Sequence, residues 1–219
     1  MLKFEELKQN KAINTYISRA DETLKELGFT EHSFAHVTKV ATVGADILAT
    51  LGYSKREVEL CKIAGYLHDI GNLVNRIDHS QSGAVMAFRI LDRLNMDADD
   101  IAVVVSAIGN HDEGTGIPVN AVASALILAD KSDVRRSRVR NTDITNFDIH
   151  DRVNYSVFHS GLEVIKSEKI VRLTLDIDTK YSSVMDYFEI FLNRMILCRK
   201  AAEKLGLSFK LDINGQQLI

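Results

Sequence analysis

A single proline, Pro118, stands in a chain of 219 residues. Proline removes a backbone donor and breaks helix interiors, so a chain this poor in it is free to run in long helices. The hydrophobic pattern agrees. Ile13, Tyr16, Ile17, Ala20, Leu24 and Leu27 recur at helical spacing over residues 5–27, and Gly28 follows as a stop. A second helix is predicted from near Thr30 or Ser33 to Gly52, burying Val37, Val40, Ile47, Leu48 and Leu51. Ser54-Lys55-Arg56-Glu57 is a capping box that opens a third, through Leu60, Ile63, Ala64 and Leu67 to His68-Asp69. A fourth runs from near Ser80 or Ser82 to about Leu94. Asp97 and Asp100 open a fifth, where acidic side chains suit the positive end of the helix dipole. After a loop through Gly114–Pro118, a sixth carries Val122, Leu126 and Ala129 to Asp130.

The pattern changes after about residue 140. Leu162–Ile165 and Ile170–Ile177 read as two strands of a hairpin, the second alternating apolar and polar residues. A long helix over about 181–205 follows, then the alternating run Leu207–Ile213, ended by Asn214-Gly215. The expected fold is mostly α. Residues 1–145 form a helical domain, an N-terminal helix plus a core over about 30–140. Residues 146–219 form a small α+β appendage of three antiparallel strands and one long helix.

With 46% hydrophobic residues the chain can bury a sizeable core. A net charge of -3 argues against a general nucleic-acid or membrane-surface binder. The start, MLKFEELKQNK, lacks the apolar core of a signal peptide. No apolar run is read as reaching the roughly 18 to 20 residues of a membrane span. Cys61 and Cys198 are the only cysteines, without metal-binding spacing, and are expected as buried free thiols in a reducing cytoplasm.

The chemistry centres on Leu67-His68-Asp69-Ile70-Gly71-Asn72. Adjacent His and Asp side chains can serve one metal centre if a helix ends there, since imidazole suits transition metals and carboxylate binds one metal or bridges two. His36, His79, His111 and Asp130 each fall near the end or on one face of a predicted helix. Pointed inward, such groups are costly unless paired, and a shared metal satisfies them together. His32, His150 and His159 are left as ordinary hydrogen-bonded residues.

This series, H…HD…D, resembles the HD-domain superfamily of metal-dependent phosphohydrolases. His36-Val37-Thr38-Lys39-Val40-Ala41, Leu67-His68-Asp69-Ile70-Gly71 and Ala129-Asp130-Lys131 are similar to its three motifs, over roughly residues 30–140. His79, with Gly83 after it, and His111 resemble the extra histidines of members with a second metal. The resemblance implies a helical-bundle HD domain in which His36, His68, Asp69 and Asp130 hold one divalent metal. Asp69 would bridge to a second, also held by His79 and His111. Two metals lower the pKa of a shared water and clamp phosphoryl oxygens. Mn, Fe, Ni, Co, Zn and Mg all fit such a ligand set. Asp69, His79 and His111 are the expected catalytic groups, either histidine protonating a leaving group if the second metal is absent. His111-Asp112-Glu113-Gly114-Thr115-Gly116-Ile117-Pro118 also resembles the HD-GYP branch, which cleaves cyclic di-GMP. Asn72, Asp112 and Ile117 depart from that branch's lysine, second histidine and tyrosine. Asp112 is open as an oxygen ligand or a solvated loop carboxylate.

Asp133-Val134-Arg135-Arg136-Ser137-Arg138-Val139-Arg140 places four arginines just beyond Asp130. If the helix continues, Arg135 and Arg138 share a face, as do Arg136 and Arg140. Guanidinium forks bind phosphate bidentately, so Lys131, Arg135 and Arg138 are candidate phosphate contacts, and Arg76 a lesser one.

The expected function is hydrolysis of a phosphate ester or nucleotide by a metal-activated hydroxide in the cytoplasm. The partner is a small phosphorylated substrate, with no membrane and no general nucleic-acid binding. The alternatives are a metal-binding regulatory or sensing module without turnover and a divergent cyclic-dinucleotide phosphodiesterase. The appendage has three open roles: capping the helical domain, shaping substrate access, or forming a homodimer through an exposed strand edge.

Overall fold

Side-chain caps set where most of the longer helices of this chain begin, and the computed structural model describes them over residues 2–219. The predicted first helix is two, α1 (Phe4–Lys8) and α2 (Lys11–Glu26). Asn10 divides them, because its side chain accepts from the backbone of Ala12 at 3.0 Å and Ile13 at 3.3 Å. Ser33 caps α3 (Phe34–Leu51), and the predicted Ser54–Glu57 capping box opens α4 (Lys55–Leu67). A 3-10 turn over Ile70–Leu73 leads to α5 (His79–Arg93), then α6 (Ala98–Gly109) and α7 (Ala121–Lys131).

α3 packs on α4 and α7, α4 on α6 and α7, and α5 on α6. Every residue of α7 from Val122 to Ala129 is buried, as befits a helix apolar all round. By length and composition α3 is apolar enough to cross a membrane, which the sequence reading did not register. Its Val37, Val40, Ala41, Ile47 and Leu48 are instead buried inside the protein.

α7 stops at Lys131, so the helix does not continue through the arginines and their shared faces do not form. Arg136–Arg138 is a 3-10 turn. Tertiary partners hold this segment: Arg135 pairs with Glu31, Arg138 with the Glu31 carbonyl, and Arg140 with Asp21. The short α8 (Ile149–Ser156), capped by Asp148, carries no clear sequence signal.

The C-terminal part holds β1 (Val157–Ile165), β2 (Ile170–Ile177), α9 (Val184–Lys204), β3 (Ser208–Ile213) and β4 (Gln216–Gln217), in sheet order β1-β2-β3-β4. β1 and β2 form the expected antiparallel hairpin. The expectation of three antiparallel strands fails at β3, which runs parallel to β2 with Ile170 opposite Ser208 and Leu175 opposite Ile213. The cause is α9, whose 21 residues return the chain to the starting end of the sheet, as a crossover helix does. Asn214 (φ 52°) and Gly215 (φ 77°) then turn the chain into β4. Leu173, Leu175, Leu211 and Ile213 pack under Tyr187, Phe191 and Met195 of α9, and one apolar core continues from them into the helical bundle.

Candidate metal centre

Five helix ends converge at one point. His36 lies in the first turn of α3, His68 caps the C-terminus of α4 with Asp69 next to it, and His79 opens α5. His111 follows α6, and Asp130 is in the last turn of α7. The four histidines and Asp69 are buried. Gly71 makes the approach of α5 feasible, since a Cβ there would collide with the His79 carbonyl and the Gly83 nitrogen.

Each of these histidines uses Nδ1 in the same way. Nδ1 of His68 faces the Gly65 carbonyl at 2.8 Å, that of His79 the Arg76 carbonyl at 3.1 Å, and that of His111 the Ile108 carbonyl at 2.6 Å. Nδ1 of His36 faces Asp133 Oδ2 at 2.8 Å. A carbonyl or ionised carboxylate only accepts, so the proton must sit on Nδ1. Every Nε2 is therefore turned into the shared space, with a lone pair available unless the ring is charged.

Asp69 spans the two halves of that space. Its Oδ2 lies 3.2 Å from His68 Nε2 and 3.5 Å from His36 Nε2, while its Oδ1 lies 3.5 Å from His79 Nε2. Asp130 Oδ1 is 3.4 Å from His36 Nε2 and 3.7 Å from His68 Nε2. His79 Nε2 and His111 Nε2 face each other at 3.2 Å. His36 Nε2, His68 Nε2 and Asp69 Oδ2 are buried without a hydrogen-bond partner among the described residues. Donor atoms of His36, His68 and Asp130 lie within 4.8 Å of one another, as do those of His68, Asp69 and His111. Buried polar atoms left orphaned on one point are costly, and a divalent cation with N and O ligands relieves all of them. The residues fit such an ion.

The electrostatics divide the site. Burial opposes charge on His68, but the Asp69 and Asp130 carboxylates outweigh it and push the imidazolium up to about 10. His36 is raised too, against burial and Arg138, by Asp130, Asp133 and Asp69. Burial, joined by His68 and His79, holds His111 well below its ordinary value, and burial also lowers His79. Asp69 and Asp130 stay ionised despite burial, Asp69 through His68 and His36, Asp130 through Lys131 and both histidines. Without metal, a proton on one half thus substitutes for missing positive charge.

Outward from the ring opens a cavity of about 380 Å³. Lys131 lines it, its Nζ 2.8 Å from Asp130 Oδ2 and 2.6 Å from Glu113 Oε2. Arg138 reaches its wall but is only 5% exposed and committed to the carbonyls of Glu31 and Asp133, each at 2.8 Å. Arg135 is absent from the cavity lining, because its guanidinium is held by Glu31 at 2.9 Å and Asp133 at 3.0 Å. Arg76 lines the cavity. Asp112 Oδ1 is 4.0 Å from His79 Nε2, and both residues lie outside the two tight donor groups, His79 reaching the ring through Asp69 Oδ1 at 3.5 Å and His111 Nε2 at 3.2 Å.

Sequence reasoning missed Asp133, Glu113 and Arg194, whose roles come from long-range pairing that no local period signals. It also set aside His32 and His150, which line the cavity. His32 keeps the hydrogen bond expected of it, Nδ1 to the Thr30 carbonyl at 2.7 Å, and only the fold brings it to the cavity.

With this geometry in view, the chain belongs to the HD domain family, whose pattern matches residues 33–152. It is also similar to an uncharacterized protein of Methanocaldococcus jannaschii, 26% identical over 211 residues, covering 85% of this chain and 79% of the relative. A looser structural likeness, with a TM-score of 0.47 and 22% identity, links it to a predicted HD superfamily hydrolase from an uncultured Thermotogales bacterium. That likeness covers 61% of this chain and 75% of the other.

Proposed function

We propose that this protein is a metal-dependent phosphohydrolase acting on a small phosphorylated compound, a phosphate ester or nucleotide. The observation that carries the reading is the set of inward Nε2 atoms around Asp69, whose two oxygens face different histidines. His36, His68, Asp69 and Asp130 would hold one divalent ion, and Asp69, His79 and His111 a second. When bound, the ions supply Lewis acidity that activates water and neutralises phosphoryl charge.

The chain's own residues do the rest. The backbone carbonyls and Asp133 hold each imidazole in the Nδ1–H form. Lys131 presents an ammonium at the edge of the ring, where a phosphoryl oxygen would lie. The burial of His68 and His111 (0% and 1% exposed) keeps bulk water away from the ring's inner side. Two buried free thiols, Cys61 and Cys198, suit a reducing cytoplasm.

The test is metal content of the purified protein, with turnover of a phosphoester and nucleotide panel in added Mn²⁺. About two ions per chain, with hydrolysis abolished by chelation, is the expected result. Bound metal with no turnover on the whole panel would support the regulatory-module reading instead. No metal affinity would overturn the site assignment.

A further inference from the structure

Arg194 belongs to α9, far in sequence from the HD motifs, yet it lines the same cavity. Its Nε donates to Glu113 Oε1 at 2.8 Å, and its guanidinium lies over the Phe191 ring at 4.3 Å. Glu113 in turn meets Lys131, which meets Asp130. An ion chain therefore runs from the C-terminal helix to the metal ring. The terminal nitrogens of Arg194 have no protein hydrogen bond among the described residues.

The charges around this chain do not balance. Once metal takes the Asp130 carboxylate, Lys131 and Arg194 share the single charge of Glu113, leaving one positive charge over. Arg76 adds another, since its hydrogen-bond partners are the neutral Asn72 amide and His79, each at 3.4 Å. Two further carboxylates line the cavity: Asp148 accepts from the Asp151 backbone N–H, and Asp151 accepts from the Asn141 amide. Asp112, 4.0 Å from His79 Nε2, offsets part of that excess, so Lys131, Arg76 and Arg194 leave about one net positive charge beside the ring, while Asp148 and Asp151 elsewhere in the lining disfavour further anionic groups. A phosphate monoester carries about -1.5 to -2 charge near pH 7 and three terminal oxygens. A diester carries one charge and two such oxygens, and a polyphosphate would bring further negative charge into a cavity that Asp148 and Asp151 also line.

We propose that α9 supplies Arg194 as a phosphate-binding residue, which with Arg76 and Lys131 selects a terminal phosphate monoester whose alcohol half is uncharged. This deepens the phosphohydrolase reading and rests on it for the reaction, but the binding claim stands on the cations. Guanidinium forks match two phosphate oxygens in a way a single ammonium does not.

The test is calorimetric titration of the full-length, metal-loaded protein with inorganic phosphate and with dimethyl phosphate, repeated in chelator. Inorganic phosphate is expected to bind at least about tenfold more tightly than dimethyl phosphate. Arg194→Gln should weaken phosphate binding about tenfold to a hundredfold, the range for one charge-assisted contact, with metal stoichiometry unchanged. Arg194→Lys should recover only part of the loss. Wild-type phosphate affinity in Arg194→Gln, or equal affinity for the diester, would overturn the proposal. If Arg194→Gln does not fold, Arg194→Lys carries the same comparison, partial loss of phosphate affinity supporting the proposal and wild-type affinity overturning it. Arginine-dependent phosphate binding in a protein that hydrolyses nothing would sink the hydrolase reading and leave this one standing.

Discussion

Asp133 Oδ2 accepts a hydrogen bond from His36 Nδ1 at 2.8 Å, across 97 residues of chain. The same carboxylate, 0% exposed, also meets Lys39 at 2.8 Å, Arg135 at 3.0 Å and Arg138 at 3.8 Å. These partners hold it ionised, well below the usual carboxylate range despite burial. It orients the imidazole and strengthens its Nε2 as a ligand, the part an outer-shell carboxylate plays at a metal centre. Asp133→Asn should weaken metal affinity about 10- to 100-fold while the ligands themselves remain. Competition against a chromogenic chelator measures it, and unchanged affinity would remove Asp133 from the site.

Asp69 faces both halves of the ring, so its loss should empty both. Asp69→Ala is expected to lose both ions and all hydrolysis while far-UV circular dichroism keeps most of its helical signal. Full metal content and activity in this variant would refute the ligand assignment.

Arg138 was a phosphate candidate on sequence grounds, but its guanidinium is tied to two backbone carbonyls and lies beside Asp133. Arg138→Ala should therefore act on stability first. Removing one member of a buried charged set costs about 3–5 kcal/mol, readable as a lower urea midpoint. A raised KM with an unchanged midpoint would restore the phosphate role.

The pKa directions give the metal-free protein a defined pH response. Glu113 and Asp133 lie below their ordinary values of 4.5 and 3.8, so their stabilisation is present above those values and lost as pH falls. His68 is raised from 6.5 to about 10, so its stabilisation is complete below 6.5 and lost as pH rises through about 10. Burial lowers His79 and His111, so their stabilisation runs the other way, present above 6.5 and lost as pH falls, and thermal unfolding in chelator should be highest near pH 6.5 and decline on either side. Metal binding at neutral pH should release protons, because the ligands must be deprotonated. Titration in buffers of different ionisation enthalpy reads that release, and none would contradict the raised His68.

Gly71 faces the His79 carbonyl too closely to carry a side chain. Gly71→Ala should cost about 1–3 kcal/mol through overpacking and displace His79, lowering occupancy of the second ion more than the first. Calorimetry with metal analysis checks both effects. Two full ions at wild-type stability would mean that α5 can shift freely.

Much of the helical part was legible because its signals are local. Periodicity, the Ser54 capping box and the glycine stop at Gly52 act within a turn or two of chain. They also determined which histidines and aspartates stand at helix ends, and the sequence placed all six members of the ring near the positions they occupy. What each meets across the fold was decided by tertiary packing. His36 finds Asp133, Glu113 finds Lys131 and Arg194, and four arginines read as two same-face helical pairs are held instead by Glu31, Tyr155 and Asp21. The parallel pairing of β2 and β3 was decided there too, since strand alternation is the same for either direction and only the return path of α9 selects one. A side chain's period is set by its own backbone, whereas its partner is set by the geometry that buries both.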